Sequence, residues 1–225
     1  MSILAIDTSG DRASAAVTGK DGRICEKMND DQLDHLKSLI QLVSSVMAEG
    51  GVEKEDLEYI AVSAGPGSFT GIRIGMATAR TLAQVSGLKV VPVMTLDAYK
   101  YNDLETEGEY VLCPMIDARR DQAYYAVYKK GVQTEEIYKP DCQNIKNIIC
   151  QLEVFNKKVI FTGDCFYAHK DYIVSQLGEN ALFADEVFCV NNAVSVGYIA
   201  EKMYLHKNKR GISPDYVLKA YTGND

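Results

Sequence analysis

The chain has 225 residues, with 24 Lys and Arg against 31 Asp and Glu and a formal net charge of −7. That length suits one large domain or two small lobes, and a hydrophobic content of 47% supplies an ordinary globular core. The acidic balance argues against a protein that holds nucleic acid unaided, because phosphate neutralisation needs a basic surface.

Residues 2–7 read as a short apolar strand that enters Asp7 without a basic leader or a cleavage site, so a signal peptide is not expected. No apolar run approaches the roughly 20 residues that span a bilayer. A cytoplasmic protein is the expectation. Residues 12–18 and 23–28 read as two further strands, joined by the turn Gly19-Lys20-Asp21-Gly22. From Leu33 the period changes. Leu33, Leu36, Leu39, Ile40, Val43, Val46 and Met47 recur at three- and four-residue spacing, which predicts an amphipathic helix ended by Gly50-Gly51. A buried strand is expected at 59–64, a helix rich in small residues at 68–84, a strand at 89–93 and a short helix at 95–101.

The polar, acidic stretch 102–109 reads as a linker, and beyond it the order repeats. Strands are predicted at 110–116, 122–128 and 132–138, a helix at 144–151, a strand at 158–162, and helices at 167–176 and 194–207. Under a shift of 110, Ile6, Asp7, Asp11, Ala13, Ala16 and Val17 meet Ile116, Asp117, Asp121, Ala123, Ala126 and Val127. Internal repetition of this kind points to two related βββαβα lobes with a cleft between them. The expected division is a first lobe of 1–102 plus 195–225, a linker at 103–109 and a smaller lobe at 110–194, with the last helix and the 213–221 tail returning to the first lobe.

The cysteines at 25, 113, 142, 150, 165 and 189 show no CxxC and no zinc-ligand spacing, and they read as reduced, mostly buried small hydrophobes. His35, His169 and His206 form no HxxxH or HExxH pair, and no nucleophile elbow is present. Asp30, Asp31 and Asp34 suit a helix N-terminus. The basic cluster of Lys202, His206, Lys207, Lys209 and Arg210 reads as a solvated helix end, with an RNA or protein contact as the alternative.

Two stretches carry chemistry. In Asp7-Thr8-Ser9 a strand ends in hydroxyls and a carboxylate, a turn that either caps the strand or holds phosphate. The run Gly65-Pro66-Gly67-Ser68-Phe69-Thr70-Gly71-Ile72-Arg73-Ile74-Gly75 follows a strand and opens a helix, where anions also bind. It lacks the Gly-Lys pair of a phosphate loop, and Thr70 breaks GxGxxG. The simpler reading is packing or an interface: Ser68 or Thr70 caps the helix, while Gly71, Gly75, Ala77, Ala79 and Ala83 let another helix approach closely.

With Ala5–Ser9 and Ile116-Asp117-Ala118-Arg119, that Gly-rich run resembles the TsaB (YeaZ-like) family, as do Thr162-Gly163-Asp164 and Pro214-Asp215-Tyr216. The resemblance covers nearly the whole chain and implies the actin/Hsp70/sugar-kinase (ribonuclease H-like) α/β fold. It implies a role in making N6-threonylcarbamoyladenosine beside the tRNA anticodon, as a non-catalytic subunit that binds and activates the paralogue TsaD. TsaD holds a metal through an HxxxH pair, and on that alignment the two ligand positions here are Thr95 and Tyr99. Neither side chain replaces imidazole, so no metal site and no catalytic residue is expected. The implied partner interface uses the first two long helices, through Leu36, Leu39, Ile40, Val43, Met47, Gly71, Ile72, Gly75, Met76 and Ala79. The same face would pair two copies in a homodimer. The ATPase TsaE joins the complex, a TsaC-type enzyme supplies the threonylcarbamoyl-adenylate, and tRNA is met through the complex. No tightly bound cofactor is expected. ATP or ADP belongs at a complex interface or, in the competing phosphotransferase reading, at Asp7, Thr8 and Ser9. A glycoprotease reading fails on the missing metal ligands.

Overall fold

The structure, a computed structural model, describes residues 2–19, 21–29, 35–99, 108–131 and 134–207. The acidic cluster at 30–34, nearly all of the linker, the tail beyond 207 and the side chains of Leu36, His206 and Lys207 lie outside the described residues. Two compact units form, one from Met1–Ala98 together with the chain from Asn192 on, the other from Tyr99–Asn191.

In the first unit the elements are β1 (Ser2–Asp7), β2 (Ser14–Thr18), β3 (Ile24–Met28), α1 (His35–Gly50), β4 (Leu57–Ser63), α2 (Phe69–Ser86), β5 (Lys89–Val93) and the single turn α3 (Thr95–Ala98). The second unit has β6 (Tyr110–Asp117), β7 (Gln122–Lys130), β8 (Glu135–Asn144), α4 (Ile145–Glu153), β9 (Val159–Gly163), α5 (Lys170–Leu177) and β10 (Ala181–Phe183). The last helix, α6 (Ala193–Lys207), belongs to the first unit. Each unit holds a five-stranded sheet, ordered β3-β2-β1-β4-β5 and β8-β7-β6-β9-β10. The first three strands of each are antiparallel and the last two run parallel to the first, so the same topology occurs twice.

Alternation along β1, β2 and β4 turns Leu4, Ile6, Ala15, Val17, Ile60 and Val62 to one face, where Leu39, Val43 and Val46 of α1 and Ala79 and Ala83 of α2 cover them. Each fully buried Leu, Ile or Val here contributes about 1.5–3 kcal/mol. The opposite face of β1 carries α6, and a Cβ on Gly197 of that helix would stand 3.2 Å from the Ala5 Cβ. In the second unit Val111, Cys113, Met115, Tyr125, Val127, Val159 and Phe161 pack under Ile148, Ile149 and Leu152 of α4 and Ile173 of α5.

The repeat is real, but its register differs from the shift of 110. Asp7 pairs with Ser14, whereas Asp117 pairs with Ala123, so the second hairpin is one residue shorter. A one-residue slip moves a strand side chain to the other face. Val17 and Val127 both face their helices, but Ile6 finds its counterpart in Met115, and Ile116 is outside the core cluster. Asp7 and Asp117 therefore have opposite parity within their sheets.

Other expectations shift for local reasons. The third strand of the second unit, read at 132–138, runs over Glu135–Asn144 and carries Pro140, which an edge strand tolerates because it need not donate on both sides. The helix read at 167–176 starts as a 3-10 turn at Cys165–His169. The three-residue β10 was not expected, being too short to show a period. Of the cysteines, Cys113, Cys165 and Cys189 are buried, Cys25 is half-buried, and Cys142 and Cys150 are exposed. The expectation of a mostly buried set therefore holds for three of them, because edge strand β8 and the outer side of α4 present the other two. Burial pushes the Cys165 thiol up to about 12, with Asp117 and Asp164 adding to the rise, so it stays a neutral core group. Among the described residues no helix is long and apolar enough to cross a membrane.

Candidate functional site

The turn after β1 lies beneath the start of α2. Ser68 caps that helix by accepting from the Gly71 N–H at 3.2 Å, and Gly87 closes it in the left-handed conformation with φ 66°. Its buried stripe is Gly71, Gly75, Ala79 and Ala83. A Cβ on Gly67 would collide with the Ser9 carbonyl, one on Gly71 with the Thr8 carbonyl and one on Gly75 with Thr8 Oγ1. The Gly-rich run is thus shaped to fit the chain's own β1 turn.

The polar groups of that turn are used locally. Thr8 Oγ1 donates to the Gly71 carbonyl at 2.7 Å, and the Thr8 N–H donates to Ser63 Oγ at 3.4 Å. Asp7 Oδ1 accepts from the Ser9 N–H at 3.2 Å and from Ser9 Oγ at 2.8 Å, while the Ser9 carbonyl accepts from the Ser68 N–H at 2.7 Å. Asp7, Thr8 and Ser9 are 1%, 0% and 4% exposed. Every donor of Thr8 and Ser9, the residues named above as phosphate contacts with Asp7, thus has a partner inside the first unit.

The residues expected at a partner face divide in two. Leu39, Val43, Gly71, Gly75 and Ala79 are buried within the unit and support the helices from below. The three- and four-residue spacing that marked these five is the spacing of the core-facing stripe. Ile40 is half exposed at 50%, and Ile72, Met47 and Met76 are half-buried. Two residues that the sequence reading missed join the outer side of α2. Phe69 is 68% exposed, and the Arg73 guanidinium lies over its ring at 3.6 Å. Their i, i+4 spacing was a legible signal for such a pair.

Thr95 is buried in α3 with its N–H donating to the Gly65 carbonyl at 2.8 Å, and its hydroxyl finds no partner among the described residues. Tyr99 is buried in the second unit and donates its hydroxyl to the Cys189 carbonyl at 3.2 Å. Among the described residues no group of three His, Cys, Asp or Glu side chains is placed to hold a metal ion. A further polar cluster stands at the N-terminus of α6, where Ser14 Oγ accepts from the Ala193 N–H at 2.8 Å. Burial pushes the Glu26 carboxyl above its ordinary value and the nearby Asp7 charge adds to this, while N–H groups of Val194 and Ala193 pull it back. No local pattern marks this cluster, because Ser14, Glu26 and Ala193 meet only through the fold.

Residues 30–221 match the family model described as TsaD, tRNA N6-adenosine threonylcarbamoyltransferase. The chain is 31% identical over 227 residues to the tRNA threonylcarbamoyladenosine biosynthesis protein TsaB of Bacillus subtilis, an alignment covering 96% of this chain and 94% of that one. In fold it resembles a Pseudomonas aeruginosa protein described as similar to peptidase YEAZ, with a TM-score of 0.77 at 22% identity over 91% of this chain and 92% of that one. A ROK hexokinase from Thermus thermophilus superposes with a TM-score of 0.51 at 11% identity over 90% of this chain and 100% of that one, which places the architecture among sugar-kinase-like folds.

Proposed function

This chain belongs to the TsaB family of tRNA threonylcarbamoyladenosine biosynthesis proteins, and we propose that it serves that modification of tRNA as a non-catalytic subunit that binds and activates the paralogue TsaD. The observation that carries this reading is the β1 turn. Both amides and both hydroxyls of Thr8 and Ser9 end on the chain's own atoms, whereas a phosphotransferase of this fold needs such a turn open to phosphate. Thr95 and Tyr99, in the places of the paralogue's histidine pair, are a buried hydroxyl and a phenol bonded to a carbonyl. Neither side chain takes the place of imidazole on a divalent metal. The chain therefore contributes surface to the complex, and the chemistry belongs to TsaD.

The contact surface is the outer side of α1 and α2: exposed Ile40 and Phe69 with half-buried Ile72, and Arg73 stacked on Phe69 as a preformed aromatic–cation anchor. The same surface pairs two copies when the protein is alone. TsaE joins the assembled complex, ATP or ADP binds at a complex interface, and tRNA is engaged by the complex and not by this chain alone.

Co-purification with TsaD tests the reading. Ile40→Arg and Ile72→Arg place a charge in the interface core, which costs several kcal/mol when it is left unpaired, and both variants are expected to fold and to lose TsaD. Retention of TsaD by both, or turnover of ATP by the isolated chain, would overturn the proposal.

A further inference from the structure

The scaffold role leaves one feature of the second unit unused. Arg119, Arg120 and Asp121 have φ values of 69°, 54° and 58°, three consecutive non-glycine residues in the left-handed region at the tip of the β6–β7 hairpin. Gly or Asn fills such positions with less strain, so arginine at two of them is explained by its side chain and not by the backbone.

The frame beneath is braced. Asp164 Oδ1 accepts from the Asp117 N–H at 2.9 Å, and Asp117 Oδ1 accepts from the Arg119 N–H at 2.8 Å. The Ala118 N–H donates to the Gln122 carbonyl at 3.0 Å, the Gln122 N–H to the Arg119 carbonyl at 3.1 Å and the Ile145 N–H to the Asp121 carbonyl at 2.9 Å. One oxygen each of Asp117 and Asp164 thus holds backbone, and the guanidiniums face water. The Arg119 side chain is 89% exposed, with a 4.0 Å approach of its Nε to Asp117 Oδ2. Arg120 is exposed and forms no ion pair among the described residues. Beside them, Tyr124 of β7 is 37% exposed, and exposed Lys146 follows the Ile145 whose N–H holds the hairpin.

We infer that this hairpin binds the phosphate backbone of single-stranded RNA. Arg119 and Arg120 take phosphate oxygens through their planar donor forks, and Tyr124 offers a ring on which an unpaired base stacks. The inference rests on the tRNA-modifying reading, which is what brings an RNA loop to this chain. A net charge of −7 makes the contact a contributor within the complex, so the complex is the species to measure.

The experiment measures the affinity of the reconstituted complex with TsaD for a fluorescent anticodon stem-loop RNA across a range of salt. The variant is Arg119→Asn/Arg120→Asn, since Asn adopts the left-handed conformation readily and keeps the hairpin's backbone. Loss of two single-strand phosphate contacts makes the slope of log K against log salt shallower by about 1.4, at about 0.7 per phosphate. Arg119→Lys/Arg120→Lys is expected to keep most of that slope. An unchanged slope for the Asn variant, with wild-type complex binding RNA more tightly than TsaD alone, overturns the hairpin inference and leaves the family reading intact. Loss of TsaD from the Asn variant also overturns it, because the arginines would then contact an acidic protein surface. If wild-type complex binds no more tightly than TsaD alone, this chain adds no RNA contact and the inference falls. If tRNA modification also proceeds without the chain, the tRNA-modifying reading falls with it.

Discussion

Replacing Gly71 by Ala is expected to destabilise the first unit by about 2 kcal/mol, although the same change in an exposed helix stabilises by roughly 0.8–1 kcal/mol. Gly71 is buried in α2, and its added methyl would run into the Thr8 carbonyl, a backbone atom that cannot rotate away. Forcing the helix off the β1 turn costs roughly 1–3 kcal/mol as overpacking. It also strains the 2.7 Å bond from Thr8 Oγ1 to the Gly71 carbonyl, worth about 0.5–1.5 kcal/mol. Set against the helix gain, the net is a loss. Urea unfolding with an unchanged m-value reads it directly. Gly75 provides the internal control, because its Cβ would meet the Thr8 hydroxyl, a side-chain atom. Thr8→Ala should therefore remove the clash of Gly75→Ala, giving a coupling energy of about 1 kcal/mol, whereas for Gly71→Ala it removes only the strained hydrogen bond and leaves the clash with the carbonyl, so Gly71→Ala stays destabilising in the Thr8→Ala background. A Gly71→Ala variant as stable as wild type would refute the account of the Gly-rich run as a fit to the β1 turn.

Thr95→Val is expected to be neutral or to stabilise by up to about 1 kcal/mol, since it removes a buried hydroxyl without a partner at nearly constant shape; a thermal melt showing a clear loss would point to a bond the side chain makes. Glu26, its carboxyl raised in the fold mainly by burial, binds more protons folded than unfolded, so its contribution falls as pH rises from the ordinary carboxylate value through the raised one. Glu26→Gln should consequently compare better with wild type at pH 7 than at pH 4.5 in paired denaturation curves, and the opposite order would contradict the assignment. Phe69→Ala should leave the melting temperature unchanged, because the ring is 68% exposed, while weakening TsaD binding at least tenfold, as aromatic anchors do.

Much of the fold was legible because its strands and helices carry clean periods. Residues 89–93 were read with their observed bounds, and the α1 stripe of Leu39, Val43 and Val46 announced a helix with a buried face. That stripe also misled. Periodicity reports which side chains are apolar on one face, and it cannot say whether the face meets the chain's own sheet or a partner. Leu39 and Val43 lie inward, and the outer side carries Ile40 together with Phe69 and Ile72, whose three-residue spacing on α2 went unread beside the Gly-rich run. The Gly-rich run was read as packing, but its object, the carbonyls and hydroxyl of Thr8 and Ser9, depends on a tertiary approach that no local rule supplies. The repeat was visible in composition and wrong in register by one residue at β6, since identical residue types carry no information about which face they occupy.

The most direct test of the central claim is threonylcarbamoylation of tRNA by reconstituted TsaD, TsaE and a TsaC-type enzyme, with wild-type chain, with the folded Ile72→Arg variant, and with neither. The account predicts modification with wild type, and little with the variant or without the chain. Equal modification in all three reactions would contradict it.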